Sequence, residues 1–340
     1  MQHLIVTIFT VAAFAAAAYA QPPVAWFHTY HNDRYDSFLD IYPPAGGGYV
    51  MCGCAHPNNV NSDTSANMWV VRIGDDGNLT WSRTYGANND YDEGITIVEV
   101  DGGFLVGGYS GGYPNNYQIA AWRIAENGEQ IWFRTYGRGW CKAVIKLKSG
   151  EFLLTGRTGG GRLLGFLICI NGDGRLLWER YYEIDGSFSF SGMRETDGGV
   201  ILAGTADIFN PVYSVYLIWV VKVSIDNEGE VVWSQTHRPY FSQTPYSIVR
   251  AHNEGFVLAG ACREGPGGTL NYIAFKIDDE GNQDWNRLYN FENLANVGSC
   301  TCIERLPDDG YAIVGTLGLP NDYGRVVRIT SNGVPRWQRI

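Results

Sequence analysis

Seven cysteines, six histidines and one Gly-x-Ser-x-Gly match are the side chains here whose type and spacing could do chemistry. Ser110 lies in Gly108-Tyr109-Ser110-Gly111-Gly112, the pattern of an activated serine nucleophile. That nucleophile needs a sharp strand-to-helix elbow to lift its hydroxyl clear of the sheet, and no helix signal follows Ser110. With 43 glycines in 340 residues a chance match is expected, so no catalytic residue is assigned. His3, His28, His31, His56, His237 and His252 form neither H-x-x-x-H nor H-E-x-x-H, the spacings that place two imidazoles on one helix face for zinc. His28 and His237 fall in strands at the outer edge of the repeats described below and read as surface residues. Acidic turns such as Asp75-Asp76-Gly77-Asn78, Asp226-Asn227-Glu228-Gly229 and Asp278-Asp279-Glu280-Gly281 lack the twelve-residue spacing of a calcium loop and fit hairpin chemistry. Neither a metal nor a cofactor is expected.

Two cysteine pairs stand out, Cys52-Gly-Cys54 and Cys300-Thr-Cys302. In a strand, residues i and i+2 share a face, so each pair would present two thiols together. Small buried strand residues are one reading of them, and a disulfide joining the first and last repeats is another. An odd total of seven leaves at least one thiol free or intermolecular.

The elements that must position these residues are announced by tryptophan. Trp26, Trp81, Trp132, Trp178, Trp233, Trp285 and Trp337 recur at intervals of about fifty residues and delimit six units. A similar strand follows each of the first six (WFHTY, WSRTYG, WFRTYG, WERYY, WSQTH, WNRLY), and a glycine lies four positions before each of the last six. Mid-unit comes a Gly-rich turn and a strand ending in Gly: GGGYVMCG, DGGFLVGG, SGEFLLTG, DGGVILAG, NEGFVLAG and DDGYAIVG. In the second unit the strands are predicted at Gly94 to Val100, Phe104 to Gly108, Ile119 to Ile124 and Gln130 to Tyr136, with tight turns in DGG and ENG. The fold class expected is all-β: a six-bladed β-propeller of four-stranded antiparallel blades over residues 21–340. Each sheet alone would leave both faces apolar, so the repeated Trp is read as packing between sheets. Seven copies of the Trp strand for six units suggest that the N-terminal copy completes the last blade.

The pattern W-x-[KR]-T-Y-G, D-G-G-[FY]-[ILV]-[ILV]-x-G, an apolar strand with Lys or Arg, then G-x-x-x-W resembles the repeat of secreted bacterial β-propeller proteins over residues 24–340. Arg72, Arg123, Lys222, Lys276 and Arg328 occupy its basic position and Cys169 departs from it. The resemblance implies an extracytoplasmic propeller and carries over no catalytic residue. Similarity to Kelch repeats stops at Phe104–Gly108, and similarity to quinoprotein propellers stops at steps such as GEQIW.

Export is expected on independent grounds. Leu4 to Ala18 is an uncharged apolar run, and Ala18-Tyr19-Ala20 before Gln21 is a small-x-small cleavage pattern, making residues 1–20 a signal peptide. No membrane association is expected after cleavage. A net charge of -10 with no basic run argues against nucleic acid as partner.

Function then falls to the connections. The short repeated turns share one rim, and the variable connections share the other, where loops on a rigid scaffold carry binding. Tyr113, Asn116, Tyr117, Arg138, Trp140, Tyr213, Arg238 and Tyr240 lie in those connections. Their side chains suit a glycan or an extracellular protein surface, although ordinary solvated loops can hold the same residue types. The reading is a monomeric, secreted, periplasmic or cell-surface binding module without catalysis. A propeller enzyme with its site at the mouth of that rim (a quinoprotein or a polysaccharide-degrading enzyme) is the alternative, and a spacer in a surface assembly is a further one. A convergent cluster of titratable groups would favour the enzyme, and a broad aromatic patch would favour binding.

Overall fold

Hairpin chemistry sets the element boundaries. In the turn Ala125-Glu126-Asn127-Gly128-Glu129, Ala125 N donates to Glu129 O (2.8 Å) and Gly128 N to Ala125 O (2.9 Å). Gly128 has φ +82°, which an L side chain adopts only under strain. The computed structural model describes residues 26–31, 36–56, 65–86, 90–112, 116–160, 163–183, 186–208, 215–266, 268–289, 298, 300–317 and 323–339. Residues 1–20, read as a signal peptide, together with Tyr113 and Tyr213, lie outside the described residues.

Among the described residues every named element is a strand. The first compact unit, Ala25–Tyr182, holds β1 (Asp36–Tyr42), β2 (Tyr49–Ala55), β3 (Asn67–Ile73), β4 (Leu79–Tyr85), β5 (Glu93–Val100), β6 (Gly103–Gly112), β7 (Asn116–Ala125), β8 (Gln130–Lys146), β9 (Phe152–Thr158), β10 (Gly165–Ile170) and β11 (Leu176–Tyr182). The second, Glu183–Ile340, holds β12 (Ser187–Thr196), β13 (Gly199–Ile208), β14 (Val215–Ser224), β15 (Glu230–His237), β16 (Ser242–Arg250), β17 (Phe256–Arg263), β18 (Leu270–Ile277), β19 (Gln283–Tyr289), β20 (Cys300–Leu306), β21 (Gly310–Leu317), β22 (Tyr323–Thr330) and β23 (Pro335–Arg339). Strands pair antiparallel with their sequence neighbours, giving four four-stranded sheets and one of seven strands.

The seven-stranded sheet arises because the second and third repeats share β8. Its first half pairs β7 (Arg123↔Trp132) and its second half pairs β9 (Trp140↔Arg157). Gly137 (φ +92°) and Gly139 (φ +149°) let the chain pass from one repeat to the next without leaving the ladder. Arg138 and Trp140 therefore sit on a strand rather than in the loop expected for them, and Asn116 and Tyr117 sit on β7.

Central strands bury both faces because a sheet lies on either side. In the first unit β6 does so, Phe104 and Val106 packing with Val50 and Val70 of the first sheet while Leu105 packs with Leu154, Phe166 and Ile168 of the third repeat. Val50, Met68 and Val70 of the first sheet meet Ile97, Phe104, Val106 and Trp122 of the next. In the second unit Val249, Val257 and Ala274 meet Ile303, Ile313 and Val327. Burying a side chain of this size contributes roughly 1.5–3 kcal/mol.

The recurring Trp works at these seams within each unit. Trp81 donates its indole N–H to Glu126 O (3.0 Å) and Trp132 to Gly172 O (3.0 Å), each reaching the following repeat's turn, and Trp26 donates to Asp75 O (2.8 Å) in the first repeat's turn. Its ring lies against the positive-φ glycine of that turn; a Cβ on Gly128 would come within 3.1 Å of Trp81, and one on Gly281 within 2.6 Å of Trp233. The tyrosine four residues on completes the clasp, as Tyr85 to Gly128 O (2.6 Å), Tyr136 to Gly174 O (2.8 Å) and Tyr289 to Gly333 O (2.8 Å). His237 holds the tyrosine position in its repeat and packs on Phe275, ring centroids 4.9 Å apart. It is half-buried in a seam, not the surface residue expected.

Trp26 and Tyr30 correct a second expectation. They bind the first repeat's own turn, Tyr30 donating to Gly77 O, while β23 fills the fourth place of the last sheet beside β22. The N-terminal copy is thus not the ladder strand that completes the last sheet; Trp26–His31 is not assigned to a strand.

If the first two strands of each repeat are called A and B, the Gly that the sequence places at the end of each B strand has a separate purpose. It faces a β-bulge in the first strand of its repeat, seen at Phe38/Asp40, Gly94/Thr96, Cys141/Ala143, Phe190/Gly192, Pro245/Ser247 and Cys300/Cys302. A Cβ on Gly204 would stand 2.0 Å from Ser189 O, and one on Gly156 2.0 Å from Trp140 O. The repeated basic residue is structural too. Arg72 forks onto Tyr49 O (3.2 Å) and Ile73 O (2.9 Å), and Arg123 and Arg328 bind the equivalent turns.

Gly204→Ala is expected to cost about 1–3 kcal/mol by forcing the bulge carbonyl aside. Gly172→Ala, with nothing within 4 Å of the added Cβ, should stay within about 0.5 kcal/mol, and urea unfolding distinguishes the two. Burial lowers the pKa of His237, with Gly281 O pulling the other way. The unfolded chain then binds the proton more readily, so the stabilising effect of neutral His237 is complete above about pH 6.5 and is lost as pH falls below it. His237→Tyr should flatten the decline in thermal midpoint on acidification, measured by circular dichroism.

Candidate rim site in the first unit

The ends of β2, β6, β7 and β9, the start of β5 and the middle of β8 converge on one group of aromatic and charged side chains. Tyr91 is pinned to the end of β6 by Tyr91 N to Gly111 O (3.1 Å) and Gly111 N to Tyr91 O (3.2 Å). Its ring stacks on Tyr109 (centroids 6.0 Å, 9°) and meets Tyr117 edge-on (6.1 Å, 75°). Tyr109 and Tyr117 are 4.8 Å apart, and Trp140 lies 5.7 Å from Tyr117 and 6.4 Å from Tyr109. His56 abuts Tyr91 edge-on at 5.8 Å. Four half-buried rings in mutual contact make an aromatic patch on the rim opposite the short turns.

Charged groups thread this patch. Tyr109 donates its hydroxyl to Glu93, which also accepts from the Cys54 thiol (3.6 Å). Arg157 lays its guanidinium over Trp140, the carbon 4.4 Å from the ring centroid. Arg138 donates to Asn116 Oδ1 (3.1 Å). Burial, and after it the charge of Glu93, raises the pKa of Tyr109, while burial and then the Cys54 and Glu93 charges raise that of Tyr91. Both are proton donors at neutral pH and not bases. Burial lowers the pKa of Lys142, which Glu93 opposes and Arg157 reinforces, and burial lowers that of Arg157. The arrangement can stack an apolar face and offer hydrogen bonds of both polarities beside it.

Of the eight expected binding residues, the structure brings together Asn116, Tyr117, Arg138 and Trp140. Arg238 and Tyr240 belong to the second unit: Arg238 lies 5.7 Å over Phe241, and Tyr240 donates to Asn286 Oδ1 (3.0 Å), half-buried against that unit's core. Sequence reasoning missed Tyr91, Glu93, Tyr109, Lys142 and Arg157, which lie in or beside strands that read as scaffold. Their signal was a break in the repeat. Trp140 and Arg157 face each other where Glu93 and Tyr109 do one repeat earlier and Ser189 and Thr205 do in the second unit.

The remaining chemistry candidates are structural. Ser110 is mid-strand opposite Gln118, with no elbow. All seven cysteines, Cys52, Cys54, Cys300 and Cys302 among them, stand as free thiols in this structure. Cys300 and Cys302 do not present thiols together, because the bulge between them breaks the two-residue alternation. Cys300 is buried, with Sγ 3.5 Å from Cys302 O, whereas Cys302 is part-exposed beside Ser247. Among the described residues no three His, Cys, Asp or Glu side chains group as metal ligands. No helix among them is long and apolar enough to cross a membrane.

No family model and no curated protein matches the chain. Solved structures do. An ulvan lyase, presented as a new family of polysaccharide lyase, matches at 10% identity with TM-score 0.56, over 88% of this chain and 80% of that one. A protein of unknown function from Dyadobacter fermentans matches at 12% identity with TM-score 0.54, over 87% of this chain and 94% of its own. These likenesses show the fold alone, a propeller-like succession of antiparallel sheets.

Burial holds Cys52 and Cys300 well above the ordinary thiol range and pushes Cys54, Cys141, Cys169 and Cys262 to about 12. At about pH 8 the native protein should therefore react with a disulfide reagent at Cys302 at most, and at all seven positions once unfolded. Rapid titration of two or more native thiols would contradict this burial.

Proposed function

We propose that the chain is an exported six-bladed β-propeller, the seven-stranded sheet counting as two blades, that binds glycan or protein without catalysis. The contact face is the rim bearing Tyr91, Tyr109, Tyr117 and Trp140, with Asn116 and Arg138 beside them. One observation carries this reading: four half-buried aromatic rings, from β6, β7, β8 and the residue before β5, meet at a rim where the fold does not require them. Among the other described residues, Phe190 stacks on Trp219 inside a core. Flat apolar rings with polar edges suit the faces of pyranose rings and the centres of protein interfaces. The apolar run Leu4 to Ala18 with Ala18-Tyr19-Ala20 supports secretion to the periplasm, cell surface or medium, and the protein is taken to act as a monomer.

A second reading, a polysaccharide-degrading enzyme, is favoured by one feature, the Tyr109–Glu93 hydrogen bond with Lys142 near by. The ulvan lyase offers a fold precedent for it. The binding reading stands ahead because Glu93 is already engaged by Tyr109 and Cys54.

Glycan arrays and pull-downs with wild type, Trp140→Ala and Tyr117→Ala test the proposal. Each variant should lose about tenfold or more of the bound signal at unchanged thermal midpoint. Equal signals from all three proteins would remove the rim from consideration, and turnover of a polysaccharide would favour the enzyme.

A further inference from the structure

Two cations at the rim have no role in the scaffold. Arg157 and Lys142 make no hydrogen bond or ion pair with any described residue, and Arg157 Nε is buried without an acceptor. The equivalents of Lys142 at the other bulges are Leu39, Ile95, Ser191, Tyr246 and Thr301, and those of Arg157 are Cys54, Tyr109, Thr205, Ala261 and Thr316. None is charged, so the bulge and the strand behind it need no cation. Half-burying a cation without an anion is unfavourable, and persists where a ligand supplies the missing charge. Among the described residues the acid beside Lys142, Glu93, is committed to Tyr109 and Cys54. Arg138 adds a third cation at the margin, in a chain whose net charge is -10.

We infer that this site takes an anionic saccharide, a sugar bearing a carboxylate or sulfate, whose ring stacks on Trp140 and Tyr117 while Arg157 and Lys142 hold the anionic group. The inference rests on the binding reading above and narrows it. A guanidinium presents a planar fork that matches two oxygens of a carboxylate or sulfate, and stacking on Trp140 holds that fork in place. An acidic peptide would satisfy the charges, but it would not use four rings in contact across the face.

Affinity electrophoresis and calorimetry on the full mature chain provide the test, with five probes: polygalacturonate, its methyl ester, dextran sulfate, dextran and polyglutamate. Polygalacturonate and dextran sulfate separate carboxylate from sulfate as the recognised group. At least one charged glycan should bind about tenfold or more tightly than its uncharged counterpart. That binding should weaken as salt is raised from about 50 to about 500 mM. Arg157→Gln and Lys142→Gln should each abolish most of the preference at unchanged thermal midpoint, Arg157→Lys should restore part of it, and Trp140→Ala should abolish binding to every glycan. Equal affinity for charged and uncharged glycans, lost in Trp140→Ala, would overturn the anionic inference and leave the glycan reading standing. Polyglutamate binding as tightly as either charged glycan would overturn it in favour of a peptide. No retention by any probe would overturn the inference, and unchanged pull-down signals for Trp140→Ala would then remove the rim reading as well.

Discussion

Each four-stranded sheet has two apolar faces and can hide neither alone, and the rest of the structure follows from that constraint. Within each unit the answer is stacking, with the clasp of Trp and Tyr on the next repeat's turn setting how sheets meet. The clasp joins the three things a seam needs. The indole covers apolar area, its N–H and the tyrosine hydroxyl satisfy turn carbonyls, and a positive-φ glycine lets the ring approach. Its hydrogen bonds are between neutral groups, so ionic strength has little hold on it. The guanidinium of Arg72 or Arg123 does a related job inside one sheet, tying the A–B turn to the strand behind it.

The sheets and their turns were legible because each leaves a mark in residue type. Glycine marks the turns, alternation and apolar runs mark the strands, and Trp marks the seams. The strands of the second repeat begin within three residues of their predicted starts, yet β6 and β7 extend into what looked like loop. The passage through Gly137-Arg138-Gly139 was illegible for a physical reason. Glycines that permit a turn equally permit a strand to change partners, and only the partner strand decides between them. The bulge opposite each B-strand glycine was hidden likewise, since it depends on a carbonyl fifteen or sixteen residues away in the neighbouring strand.

The site was half legible. Trp140, Tyr117, Asn116 and Arg138 stand out in sequence because they lie in the variable connections between strands. Glu93, Tyr109 and Arg157 interrupt the pattern inside strands, where a polar residue reads as the solvent side of a sheet. Tyr91 sits just before β5, where nothing in its neighbours marks it. What joins them is register, Glu93 opposite Tyr109 and Trp140 opposite Arg157, and register is a property of paired strands rather than of either sequence segment.

The unbroken course of β8 bears on what recognition costs. A side chain presented from a flexible loop must surrender backbone freedom when a partner docks, roughly 1–2 kcal/mol for each residue fixed. Arg138 and Trp140 have already surrendered it, since the ladders to β7 and β9 grip the backbone on either side of them. Whatever lands on that indole meets a surface as stiff as the barrel stave it is nailed to, and keeps nearly all of the contact energy it gains.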